Sequence, residues 1–137
     1  MKADVTTEKA VMKILQDINN SCASKNVQHV SDLFADDADV VLLGSEEGEK
    51  AIGRLELEGQ IRRLFSRPMT YSFEWKWHSV SVEDSIAWVV AEMLVHARTS
   101  DQHQSSPYRL TLVLVKRDDK WLITHWHSSE PTSAHKC

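Results

Sequence analysis

Glycine and proline are scarce in this chain, at four and three of 137 residues. That scarcity excludes a flexible Gly/Ser linker or a Pro-rich spacer, and no repeat or low-complexity tract interrupts the chain. Residues 1–137 therefore read as a single domain of ordinary size. Cysteine is nearly absent too. Cys22 and Cys137 are the only two, which excludes a disulfide framework; a single bond between them has no support in the sequence, and two reduced thiols in a cytoplasmic protein are the simpler reading. No apolar run approaches the roughly 18 residues of a membrane span. The N-terminal MKADVTTEKA holds no apolar stretch, so no signal peptide is read there. Positive charge is not in excess: 16 Lys and Arg face 20 Asp and Glu, for a net charge of −4. A nucleic-acid partner, which demands a basic face, is not expected. Arg62, Arg63 and Arg67 cluster, but Glu56 and Glu58 precede them, so they read as a solvated helix face.

What the chain does contain is a change of period. Val11, Ile14, Leu15, Ile18 and Cys22 recur at helical spacing, with Thr6 or Thr7 as the expected cap. Val27, Val30, Leu33 and Phe34 predict a second, shorter helix ending at Asp36-Asp37-Ala38. Val40 to Leu43 reads as a short buried strand and Gly44 to Gly48 as a loop. Gly53 to Phe65 reads as a third helix, with Leu57, Ile61, Leu64 and Phe65 inward and Pro68 beyond its end. From Met69 the period becomes two. Four long strands follow, over about 69–83, 86–98, 108–117 and 121–129. Glu83-Asp84 and Asp118-Asp119 are the expected two-residue turns. Helices gathered before an antiparallel meander indicate an α+β domain: a curved sheet wrapped around three N-terminal helices.

The turns assign the faces. Strict alternation from Asp118-Asp119 places Arg109, Thr111, Val113, Val115, Leu122, Thr124, Trp126 and Ser128 together. From Glu83-Asp84 it joins Tyr71, Phe73, Trp75, Trp77, Trp88, Val90, Glu92 and His96 on one face. This aromatic face is expected to be concave, lining a pocket for a small organic ligand. Within it Glu92 and His96 are the candidate acid–base residues. Arg109, Thr111, Trp75, Trp88, Trp126 and Ser128 are the candidate ligand contacts. The opposite face, with Val89, Ala91, Met93, Leu112, Ile123, His125 and His127, is too apolar for water and is expected to form a homodimer interface.

Arg109-Leu110-Thr111 followed by Asp118-Asp119-Lys120-Trp121-Leu122-Ile123-Thr124-His125-Trp126-His127-Ser128-Ser129 resembles SnoaL-like domains. These belong to the nuclear transport factor two-like superfamily, with ketosteroid isomerases and polyketide cyclases. Phe34-Ala35-Asp36-Asp37-Ala38, Gly53 and Asp84-Ser85-Ile86-Ala87-Trp88 fit the same pattern, close to the branch of the calmodulin-dependent kinase II association domain. The resemblance implies a cone-shaped, cystatin-like fold and leaves activity to the site itself. The isomerases place a catalytic Asp four residues after the Ala of the Phe-Ala-Asp-Asp-Ala motif, which here is Leu42, an apolar residue that cannot take a proton. Their acid oxyanion donor falls near Thr111. Classical ketosteroid isomerase activity is therefore not expected.

Glu92 with Arg109 admits two readings, a buried ion pair or a desolvated base facing an anion-holding guanidinium. His125 and His127 could share a metal across one strand, but no further ligand completes a set, so no metal and no cofactor are expected. No nucleophile elbow Gly-x-Ser-x-Gly occurs. Two functions follow: a small-molecule-binding protein capable of isomerase, cyclase or dehydratase chemistry, and a non-catalytic association module with a vestigial or regulatory pocket.

Overall fold

The computed structural model describes residues 1–133; Cys137 lies outside the described residues. Helix α1 (Val5–Ser24) forms where the apolar spacing places it, with Val11, Ile14, Leu15, Ile18 and Cys22 buried. Its cap is Asp4 rather than Thr6 or Thr7. The Asp4 carboxylate accepts the Thr7 N–H at 2.7 Å, satisfying a donor that the first turn leaves free. Helix α2 (Val27–Ser31) is a single short piece capped by Asn26. Leu33 and Phe34 follow it as turn and bridge, with Phe34 buried and paired to Ile123. Helix α3 (Arg54–Phe65) starts behind Gly53, whose φ of 81° suits a residue without a Cβ.

Six strands form one curved, unclosed sheet in the order β2-β1-β6-β5-β4-β3. They are β1 (Val41–Leu43), β2 (Lys50–Ile52), β3 (Thr70–Glu83), β4 (Ile86–Arg98), β5 (His103–Arg117) and β6 (Lys120–Ser129). Strand β2 is too short to show a period in the sequence. Strand β1 pairs with β6 in parallel, the one departure from an antiparallel sheet. The Asp118-Asp119 turn is as expected, both residues lying at positive φ, the I′ geometry that matches strand twist. The β3–β4 turn is one residue later, at Asp84-Ser85. That shift moves the pairing by two and leaves the faces unchanged.

Two bulges do change them. Trp75 pairs with Met93 while Trp77 pairs with Glu92, leaving Lys76 as an extra residue in β3. Val113 pairs with His125 while Leu114 pairs with Ile123, leaving Thr124 extra in β6. Each extra residue inverts the alternation beyond it. Tyr71, Phe73 and Trp75 therefore share a face with Met93 and Val95. Trp126 and Ser128 share that face with Leu110 and Leu112.

This is the face that the helices cover. Ala87, Val89, Ala91, Leu112, Leu114 and Ile123 are fully buried beneath them, and Met93 is 3% exposed. The expected interface residues Val89, Ala91, Met93, Leu112 and Ile123 are thus the protomer's own core. The physical reason is steric: aliphatic rows at close spacing accept helices, whereas the large rings and charges of the alternate row do not. His125 and His127 lie on the opposite face, separated from Ile123 by the bulge.

Arg54 locks the helices over the sheet. Its guanidinium meets Asp36, the carbonyls of Ser31 and Phe34, and the Ser31 hydroxyl, which also donates to Glu58 at 2.6 Å. One guanidinium thus ties together four acceptors in and just beyond the end of α2.

Leu112→Ala should cost about 2–5 kcal/mol of folding stability in urea denaturation, the cost of a core cavity. A dimer dissociating into folded protomers instead would contradict its place in the core. Thr7 holds the Asp4 carboxyl below its ordinary value of 3.8. Its contribution is therefore present above the unfolded-state pKa and lost as pH falls through the lower folded value. Asp4→Ala should lower the melting temperature at pH 7, with the gap to wild type closing in that acid range.

Candidate functional site

The inner face does not fill completely. Between α3, β1 and the β3–β6 sheet a cavity of about 210 Å³ remains. Its walls are Leu42, Ile61, Leu64, Phe73, Met93, Val95 and Trp126. Its polar lining comes from Gln60, Ser128, Tyr108 and Tyr71, with Ser45, Glu46, Glu49 and Arg67 completing it. The bulges create this composition, since Tyr71, Phe73, Trp126 and Ser128 reach the cavity only because Lys76 and Thr124 are extra.

The polar groups are partly committed to one another. The Trp126 indole Nε1–H donates to Ser128 Oγ at 3.3 Å. Arg67 donates to the Tyr71 hydroxyl at 3.1 Å and stands 4.0 Å from Glu46. Ser45 donates to the Tyr108 hydroxyl at 3.4 Å. Glu49 accepts the Glu46 backbone N–H at 2.8 Å. Gly44 permits this loop: a Cβ there would stand 2.8 Å from that of Glu49. Gln60 is different. Its Oε1 is buried and has no hydrogen-bond partner among the described residues. An unpaired buried acceptor costs about 1–3 kcal/mol, which a donor on a ligand would recover.

The expected site residues divide between two faces. Trp126 and Ser128 line the cavity, and Trp75 packs against the core beside Phe73, ring centroids 5.8 Å apart. Glu92, His96, Arg109, Thr111 and Trp88 are on the outer face instead. Glu92 and Arg109 are direct cross-strand partners and both are exposed. Neither reading of them as a buried pair or a desolvated base holds, because the alternate row of β4 faces away from the helices. Thr111 opposes His127 there. His96 is held by Glu74, His103 and Ser105 at the far end of that face. Leu42 does line the cavity, so the position that carries a base in the isomerases is an apolar wall. Tyr71 lines the cavity as the expected aromatic face has it, whereas sequence reasoning missed Gln60 and Tyr108. Gln60 interrupts the apolar row of α3 between Leu57 and Ile61, and that was the available signal.

Burial pushes the Cys22 thiol up to about 12, so it is no nucleophile. No group of three or more His, Cys, Asp or Glu placed for a metal ion occurs among the described residues. Among them, too, no helix is long and apolar enough to cross a membrane.

Residues 11–133 match the profile of the SnoaL-like domain. The chain belongs to the SnoaL-like family. Solved structures give it the cystatin-like, nuclear transport factor two-like fold. A candidate calcium/calmodulin dependent protein kinase II association domain from Xanthomonas campestris is 24% identical with a TM-score of 0.79, covering 97% of this chain and 96% of that one. A candidate dehydratase of the NTF2-like family from Streptomyces avermitilis is 17% identical with a TM-score of 0.81, over 93% and 98% of the two chains. An NTF2-like superfamily protein from Salmonella enterica is 15% identical at a TM-score of 0.83, over 96% of each chain. At these identities the likeness carries the fold and no activity. No curated protein matches the SnoaL-like chain.

Proposed function

We propose that this SnoaL-like protein binds a compact, largely apolar organic molecule in the cavity between α3 and the sheet. The observation that carries this reading is the unpartnered Gln60 carbonyl in an apolar chamber. Leu42, Phe73, Met93 and Trp126 supply the burial, and Gln60 with Ser128 sets the orientation. The volume of about 210 Å³ is below the roughly 300–1,000 Å³ of drug-sized sites, so a single or fused ring fits better than a larger skeleton. The ligand should offer a hydrogen-bond donor to Gln60. The carboxylates and the guanidinium among the lining residues, Glu46, Glu49 and Arg67, engage one another or the loop backbone. The outward Glu92 supplies no base to the cavity. Binding is therefore favoured over acid–base turnover.

A panel of small aromatic and alicyclic alcohols, amines and acids should contain compounds that raise the melting temperature by mass action. Gln60→Met should remove that rise while leaving the unliganded protein equally stable or more so, since it deletes the unpaired acceptor. A flat response across the panel, or a response unchanged by Gln60→Met, would overturn the assignment.

The association reading keeps one specific support, on the face opposite to the one expected. Trp77 is 50% exposed and Val90 40%, both on the outer sheet surface beside the Glu92–Arg109 pair, and Ile86, at the start of β4 on the same face, is 39% exposed. Such rings and branched chains are costly to leave in water, and a two-fold axis would set Glu92 of one copy against Arg109 of the other. We assign this face to a homodimer. Trp77→Arg should convert a dimer to a folded monomer in sedimentation equilibrium. An unchanged mass, or a wild-type monomer at micromolar concentration, counts against it.

A further inference from the structure

A second polar constellation lies away from the cavity, where β3, β4 and β5 end together on the outer face. His96 opposes Ser72 on one side and Ser105 on the other, and His103 opposes Arg98. His96 and His103 are therefore diagonal neighbours across β4 and β5, close enough for their rings to meet. Their ring centroids are 5.0 Å apart. His96 Nδ1 stands 2.9 Å from His103 Nε2 and 2.8 Å from Ser105 Oγ, and Ser105 Oγ stands 3.3 Å from His103 Nε2. The three atoms form a compact, nearly equilateral triangle.

Glu74 orients His96 in this triangle. Its Oε1 lies 2.9 Å from His96 Nε2, and an ionised carboxylate can only accept. His96 Nε2 is thus the nitrogen turned to the carboxylate, and Nδ1 is the one turned to the triangle. A carboxylate on the far nitrogen of an imidazole is the arrangement that orients metal-ligating histidines and raises their basicity.

We propose that His96 Nδ1, His103 Nε2 and Ser105 Oγ form a binding site for a divalent late transition metal, with Glu74 as the positioning residue behind His96. Three ligands at right angles, each about 2.1 Å from a common ion, are about 3.0 Å apart. The triangle edges of 2.8, 2.9 and 3.3 Å bracket that value. The set has two imidazoles and a hydroxyl, so water completes the coordination shell. That composition suits an accessible, exchangeable site for nickel, copper or zinc rather than a closed structural one. His103 gives up its Nε2 proton to its own Nδ1 as it ligates. The other charged groups facing the site are Lys76, bonded to Glu74, and Arg98, bonded to Ser72 at 3.1 Å.

The test is calorimetric titration of tag-free protein with Ni²⁺, with paramagnetic shifts of the histidine ring protons recorded on the same samples. One Ni²⁺ per chain is expected, broadening His96 and His103. His103→Gln should weaken binding at least tenfold, and Glu74→Gln by about 10–100-fold. His127→Gln, which removes one member of the separate His125/His127 pair, should leave it unchanged. Absence of binding, or broadening and loss of affinity that follow His127 rather than His103, would overturn the site. The three variants alter partly or fully exposed side chains, and the wild-type shifts identify the ligands independently of any substitution.

Discussion

Two residues that pair with nothing govern this structure. A sheet with strict alternation would deliver either its aliphatic row or its aromatic row to the helices. Lys76 in β3 and Thr124 in β6 break that choice. Before the first bulge and after the second, the inner face is lined by rings and a hydroxyl. Between them it is lined by Val, Ala and Leu. The aliphatic stretch gives the helices a close-packed floor, and the aromatic ends stand taller than that floor. The gap between heights is the cavity.

The same inversion determines what faces water. Trp77, Trp88, Val90, Glu92, Arg109 and His127 occupy the outer surface because the row beside them is needed inside. Opposite charges in register, Glu92 and Arg109, cost little there. The outer surface therefore carries two chemistries, apolar side chains in the middle of the strands and the His96–His103 pair where they finish. The inner cavity carries a third. A fold of this size keeps the three apart by using both faces of one sheet.

Cohesion elsewhere depends on a few polar anchors. Arg54 binds α3 to the end of α2 and the segment after it, through the carbonyls of Ser31 and Phe34. Asp4 and Asn26 cap the helices they precede. These anchors let the apolar core end cleanly at α3, so that Gln60, on the buried side of that helix, is left with an unpaired acceptor rather than a packed one.

The sequence by itself determined the helices, the strands other than β2, their order and the family. Helical spacing in Val11 to Cys22 and Leu57 to Phe65, period two after Met69 and the Asp118-Asp119 turn are local properties, written by side-chain chemistry within a few residues. The resemblance of the C-terminal strands to SnoaL-like domains was equally local. Only the tertiary structure decided which face is inside. A bulge leaves no periodic trace strong enough to see, because Lys76 and Thr124 look like ordinary outward residues of an alternating strand. One unseen insertion moves every later side chain through the sheet, so Glu92 and Arg109 went from pocket to surface while Trp126 and Ser128 stayed. Gln60, the Tyr71 and Tyr108 hydroxyls and the His96–His103 pair are assembled from elements far apart in sequence. No pattern within one strand or helix could have joined them.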